Sequence, residues 1–180
     1  MKTIARLFLL IFFCQTTSAQ DYWQQAVDYK MEVEMNVDTF QYSGNQELVY
    51  TNNSPDSLKK VFYHLYFNAF QPGSEMAVRS KNGKDKNTRF AVDIDSLETD
   101  EIGYLKINNL KQEGKSVKYE LSETILEVLL DQPLGPEEST RLTLDFNGQV
   151  PKMVRRSGRN SSEGVALSMA QWYPKIAEYD

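Results

Sequence analysis

From Tyr29 onward apolar and polar residues alternate. Tyr29, Met31, Val33, Met35 and Val37 interleave with Lys30, Glu32, Glu34, Asn36 and Asp38, the period of a strand with one face covered. Residues 38–41 are the expected turn into a second strand, which carries Tyr42, Leu48 and Tyr50 and ends in the turn formers Asn52 to Asp56. The two strands read as a hairpin. Residues 61–67 are apolar at nearly every position, so a third strand is expected at the centre of a sheet, covered on both faces.

Between Asn68 and Gly103 the alternation stops, and this is the longest irregular stretch of the chain. Ser74 is the expected N-cap of a short helix over 75–80, and another helical turn is expected near 96–101. A connection of this length tends to be functional or to lie against another surface. Strands are expected again at 104–110, 116–121, 124–130, 140–146 and 165–169, with connectors at 112–115, 131–136 and 151–163. About eight short strands at close spacing imply an all-β, mostly antiparallel β-sandwich with one long irregular insertion and short helical turns.

The N-terminus adds a compartment. Lys2 and Arg6 precede an apolar run from Leu7 to Cys14, of about eight residues, which suits a secretory signal and is too short to cross a bilayer. Thr17 and Ala19 put small side chains where a signal peptidase needs them, so residues 1–19 are expected to be removed, leaving one domain over 20–180. The bulky Ile11, Phe12 and Phe13 before Cys14 argue against a lipid anchor. The product is then exported, to the periplasm or outside the cell, with no transmembrane segment after cleavage. Cys14 is the sole cysteine, so the processed chain has no disulfide and depends on a packed core. The net charge of −5 argues against a nucleic-acid partner, which requires a surplus of Lys and Arg on one face.

Candidate chemistry is sparse. His64 is the one histidine, so the chain cannot form an H-E-x-x-H zinc pair, and a processed chain without Cys14 cannot form a Cys-His dyad. Its place in the most apolar segment reads as a packed histidine. Asp93, Asp95, Glu98, Asp100 and Glu101 crowd together, but Leu97 and Glu98 stand where a calcium loop needs a ligand and a glycine, so a solvated acidic turn is expected. Arg79, Lys81, Lys84, Lys86 and Arg89, and then Arg155, Arg156 and Arg159, read as solvated loops, with docking on an acidic partner as the alternative. Asn52-Asn-Ser54 and Asn160-Ser-Ser162 match the glycosylation sequon, a pattern common by chance. Residues 171–175, Gln-Trp-Tyr-Pro-Lys, gather large aromatics that either pack on the sandwich edge or line a pocket. No catalytic or metal-binding residue is assigned.

Several segments carry a resemblance: Tyr29 to Met35, Tyr42-Ser-Gly44 ahead of Glu47 to Asn52, Val61-Phe-Tyr-His-Leu-Tyr-Phe-Asn-Ala-Phe70, Asp131-Gln-Pro-Leu134, and Ala170-Gln-Trp-Tyr-Pro-Lys175. In this order they resemble the N-terminal domain of the aminopeptidase N (gluzincin) family of zinc metallopeptidases, in its exported bacterial branch. The resemblance implies a saddle-like β-sandwich that covers one side of a catalytic cleft. It also implies that zinc, the H-E-x-x-H motif and the catalytic Tyr belong to a catalytic domain absent from this sequence, so the chain is a fragment that is inert alone, meets its peptide substrate through that domain and needs no cofactor of its own. Gln171 matches the Gln with which the family holds the substrate's N-terminal residue, which makes it the candidate substrate contact. Tyr173 falls where the family has a Glu, which removes an anionic partner for an α-ammonium group. A structural amide is the alternative for Gln171, and a stand-alone secreted binding module that engages a protein or peptide partner is the alternative for the whole chain.

Overall fold

A computed structural model describes residues 22–81, 93–152, 156–161 and 163–180. The expected signal segment, Lys84, Lys86, Arg89, Arg155 and Ser162 lie outside the described residues. The alternating N-terminal segments become strands β1 (Ala26–Asn36) and β2 (Gln41–Thr51), antiparallel over their full length with Ala26 opposite Thr51 and Asn36 opposite Gln41. The Asn36 carboxamide oxygen closes the hairpin by accepting the N–H groups of Asp38 (3.0 Å) and Thr39 (3.1 Å), and Phe40 takes φ 58° to complete the reversal.

Then follow β3 (Leu58–His64), a 3-10 turn (Tyr66–Ala69), helix α1 (Glu75–Lys81), a second 3-10 turn (Ile94–Ser96), β4 (Tyr104–Gln112), β5 (Lys115–Ser116), β6 (Lys118–Ser122), β7 (Ile125–Leu134) and β8 (Ser139–Gln149). Short strands β9 (Gly158–Arg159), β10 (Leu167–Ser168) and β11 (Lys175–Ile176) end the order. One sheet runs β1-β2-β8-β4-β5, a second runs β11-β3-β7-β6, and β9 pairs with β10. Every pairing among the described residues is antiparallel, and the protein is mostly β.

Alternation decides which side chains enter the core. Leu48, Tyr50, Leu142, Leu144 and Phe146 from the first sheet join Val61, Tyr63, Leu126 and Val128 from the second in one buried cluster. Each such side chain contributes about 1.5–3 kcal/mol on full burial. Glycine makes room for two of the rings: a Cβ on Gly148 would overlap the Tyr42 ring, and one on Gly44 would lie 2.6 Å from the Phe146 ring. Those rings then lie edge to face, with centroids 6.2 Å apart.

The expected helix and cap are present. Ser74 Oγ accepts the Ala77 N–H (3.2 Å) and donates to the Ala69 carbonyl (2.8 Å), tying α1 to the 3-10 turn before it. Other expectations need correction. β3 stops at His64, residues 65–67 lead into the 3-10 segment, and its outer face is only half covered at Phe62 and His64, so the strand is not buried on both faces. The strand expected at 116–121 breaks at Val117. β7 runs through the expected connector to Leu134 with a shift in register, leaving Pro133 exposed near its end. Only Leu167 and Ser168 of the strand expected at 165–169 are paired, and their partner β9 lies inside the expected connector 151–163.

Candidate functional site

The segment from Ala170 to Ile176 is held from several sides by residues far away in sequence. Ser157 Oγ donates to the Ala170 carbonyl (2.9 Å) and accepts its N–H (3.2 Å). The Tyr42 hydroxyl donates to the Trp172 carbonyl (2.6 Å), the Gln46 side-chain amide donates to the Pro174 carbonyl (2.8 Å), and the Tyr29 hydroxyl accepts the Ile176 N–H (2.9 Å). Lys175 and Ile176 pair with His64 and Tyr63 as β11. Trp172 is half-buried and packs edge to face on Tyr42 with centroids 5.8 Å apart.

Gln171 sits between these anchors at φ 59°, in the left-handed region. A non-glycine residue there costs on the order of 1–2 kcal/mol and persists when the structure on either side dictates it. Its exposed side chain borders a cavity of about 920 Å³, which among the described residues is also lined by Tyr66, Ala69, Phe70, Met76, Arg156 and Ala170. The 3-10 turn after β3 supplies Tyr66 and Ala69 and its C-cap supplies Phe70, while capped α1 supplies Met76. Among the described residues the Gln171 carboxamide has no hydrogen-bond partner.

The two candidates read from the sequence diverge. Gln171 faces the cavity, whereas the ring of Tyr173 packs edge to face against Tyr29 (5.6 Å between centroids) and Trp172 (5.4 Å) and is not part of the cavity wall. His64 is half-buried with its ring stacked on Tyr66 at 5.0 Å, which steadies that wall. Burial, and then the Lys175 ammonium, hold the His64 pKa below its ordinary value, so the neutral ring is favoured.

The charged clusters are mostly occupied with each other. Asp95 accepts the Gly73 N–H (2.7 Å) and pairs with Lys81 (2.6 Å), which holds its carboxyl below the usual range. Asp93 caps the second 3-10 turn through the Asp95 N–H (3.1 Å), and Glu101 pairs with Lys152. Arg79 pairs with Glu75 (2.7 Å). Arg159 corrects the expectation of a solvated loop: its side chain is 12% exposed, its guanidinium lies 4.6 Å from the Phe40 ring centre, and it donates to the Asp100 carbonyl. Asn52, in the first sequon, is fully buried; its amide donates to the carbonyls of Asp56 (2.7 Å), Leu134 (3.1 Å) and Gly135 (3.1 Å).

Zinc chemistry does not fit these donors: the chain has one histidine and one cysteine, and among the described residues no group of three His, Cys, Asp or Glu side chains could hold a metal ion. Of the cavity residues, Tyr66, Phe70 and Met76 had no role assigned from the sequence, and Arg156 was expected in a solvated loop, with docking on an acidic partner as the alternative. Tyr66 and Phe70 lie in the 61–70 segment whose resemblance was noted, but a strand reading gave them no pocket to face.

No protein-family model matches the chain, and no curated protein matches it. Among solved structures it is similar to an M1 zinc metallopeptidase from Deinococcus radiodurans, at 16% identity over 82% of this chain and 26% of that one, with a TM-score of 0.49. A variant from that organism bound to a Tyr-Ser-Ala substrate gives the same identity, coverage and TM-score of 16%, 82%, 26% and 0.49. A two-domain M1 zinc metallopeptidase with L-arginine bound is similar at 17% identity over 82% of this chain and 27% of that one, with a TM-score of 0.49. The chain thus spans about a quarter of the length of the zinc metallopeptidases that it matches.

Proposed function

We propose that this chain is the substrate-side, N-terminal domain of an exported zinc metallopeptidase of the aminopeptidase type, and that it does not catalyse hydrolysis by itself. The observation that carries this reading is the position of Gln171. It stands in a left-handed conformation at the edge of a 920 Å³ cavity, opposite Tyr66 and Phe70. These residues belong to the two segments, 61–70 and 170–175, in which the resemblance to the aminopeptidase N family is most specific.

In this role the chain holds and orients a peptide. A carboxamide offers one acceptor and two donors, which suits a peptide unit or an amino terminus. Tyr66, Phe70 and Met76 supply the apolar wall against which a substrate side chain loses water. The metal would come from a catalytic domain, since the described residues offer no ligand group for it, and the general base that works beside the metal would come with it.

The test has two arms on the purified chain. Titration with a short peptide, followed at the backbone amides, is expected to shift Tyr66, Phe70, Met76 and Gln171, and Gln171→Ala is expected to weaken binding by about tenfold. Shifts confined to another face would overturn the groove reading. With added zinc, no cleavage of a peptide amide is expected; zinc-dependent turnover, or zinc retained in stoichiometric amount, would overturn the inert role.

A further inference from the structure

The cavity beside Gln171 has a charge character that the peptide-holding role does not require. Among the described residues that line it, Arg156 is the one ionised side chain, and no carboxylate is among them. Register explains why a cation stands there. β9 and β10 pair Gly158 with Ser168 and Arg159 with Leu167. Beyond that ladder, Ser168 Oγ donates to the Arg156 carbonyl (2.8 Å) and Ser157 binds both backbone groups of Ala170. The two strands of chain therefore run side by side through this point, and Arg156 is brought next to Ala170 and Gln171. A guanidinium and a carboxamide then converge on one space backed by Tyr66, Phe70 and Met76.

Two acidic groups on and beside α1 already have cationic partners of their own. Glu75, beside Met76 on α1, is paired with Arg79 at 2.7 Å, and Asp95 is paired with Lys81 at 2.6 Å. Tyr173, in the position where an anionic residue would favour an α-ammonium group, packs away from the cavity on Tyr29.

We propose that the cavity selects peptides by a carboxylate, with Arg156 as the specificity-determining residue and Gln171 as its neutral helper. This rests on the peptide-holding role above and adds the class of ligand to it. Arginine suits the task because its planar fork of donors matches the two oxygens of a carboxylate, and the bond is charge-assisted. The carboxylate can come from an acidic side chain or from the free C-terminus of a short peptide. The aromatic and thioether wall favours an apolar residue next to it.

The experiment compares three N-acetylated tripeptides against the purified chain: one with a blocked C-terminus and one apolar residue replaced by Glu, one apolar with a free C-terminus, and one apolar with a blocked C-terminus and no charge. At least one of the first two is expected to bind about tenfold tighter than the third, and which one does so identifies the source of the carboxylate. R156Q is expected to bring that preference to about one, and R156K to keep part of it; raising the salt concentration is expected to shrink it. A melting curve for each variant confirms that it is folded. Equal affinity for all three peptides, or a preference that survives R156Q, would overturn the carboxylate assignment while leaving peptide binding intact. Failure of every peptide to bind would overturn both.

Discussion

The hydroxyl of Tyr42 donates to the backbone carbonyl of Trp172 over 2.6 Å, across 130 positions of sequence. The same tyrosine packs edge to face on Phe67, Phe146 and Trp172. One residue of β2 thus joins the core to the segment that carries Gln171. Burial pushes the Tyr42 phenol well above its ordinary pKa, as expected for a neutral donor away from water. Tyr42→Phe keeps the ring and deletes the donor, so it is expected to cost about 1–2 kcal/mol, read from urea unfolding. Its more telling effect is local: Trp172 fluorescence and peptide binding at Gln171 are expected to change together. Unaltered fluorescence and binding in a folded variant would show that the other anchors suffice.

Asn52 bridges the end of β2 to the β7–β8 connection. Its amide donates to three backbone carbonyls while its oxygen accepts from Ser54 at both the backbone N–H (3.2 Å) and Oγ (2.6 Å). Asn52→Ala strands several buried polar groups at once and is expected to destabilise the protein by about 2–4 kcal/mol. Asn52→Asp replaces the donating amide with an acceptor facing three carbonyl oxygens, and at neutral pH it is expected to be at least as damaging. Chemical denaturation of both variants checks the order.

Alkaline pH should act through the buried tyrosines. Burial pushes the Tyr29 phenol up to about 12 and the Tyr63 phenol well above its ordinary value. The folded protein binds these protons more tightly than the unfolded chain does. Their contribution is therefore complete below the unfolded value of about 10 and is lost as pH rises from there toward the folded values. Stability measured in urea is expected to decline above about pH 10, and Tyr29→Phe to flatten part of that decline. A decline of unchanged steepness in Tyr29→Phe would exclude this phenol as a contributor.

Much of the architecture was legible because its causes are local. The strand through Tyr29, the turn after Asn36 and the cap at Ser74 each depend on residues within a few positions of one another and form as expected, but the strand ends at Asn36, so Val37 falls in the turn, and both Val33 and Val37 are exposed instead of joining the covered face. The distinctive segments 61–70 and 170–175 contain Tyr66, Phe70 and Gln171, which the structure brings to one cavity. Where those side chains go was decided in three dimensions. Nothing near Arg159 in sequence announces that Phe40 and Asp100 will take it out of water. Nothing near Gln171 separates it from Tyr173, two positions on, until Tyr42, Gln46 and Ser157 fix the backbone around it and send one side chain to a cavity and the other onto Tyr29. Strand period is a property of the backbone and is written along the chain, whereas a cavity wall is assembled from segments about a hundred residues apart, whose meeting only the packed core determines.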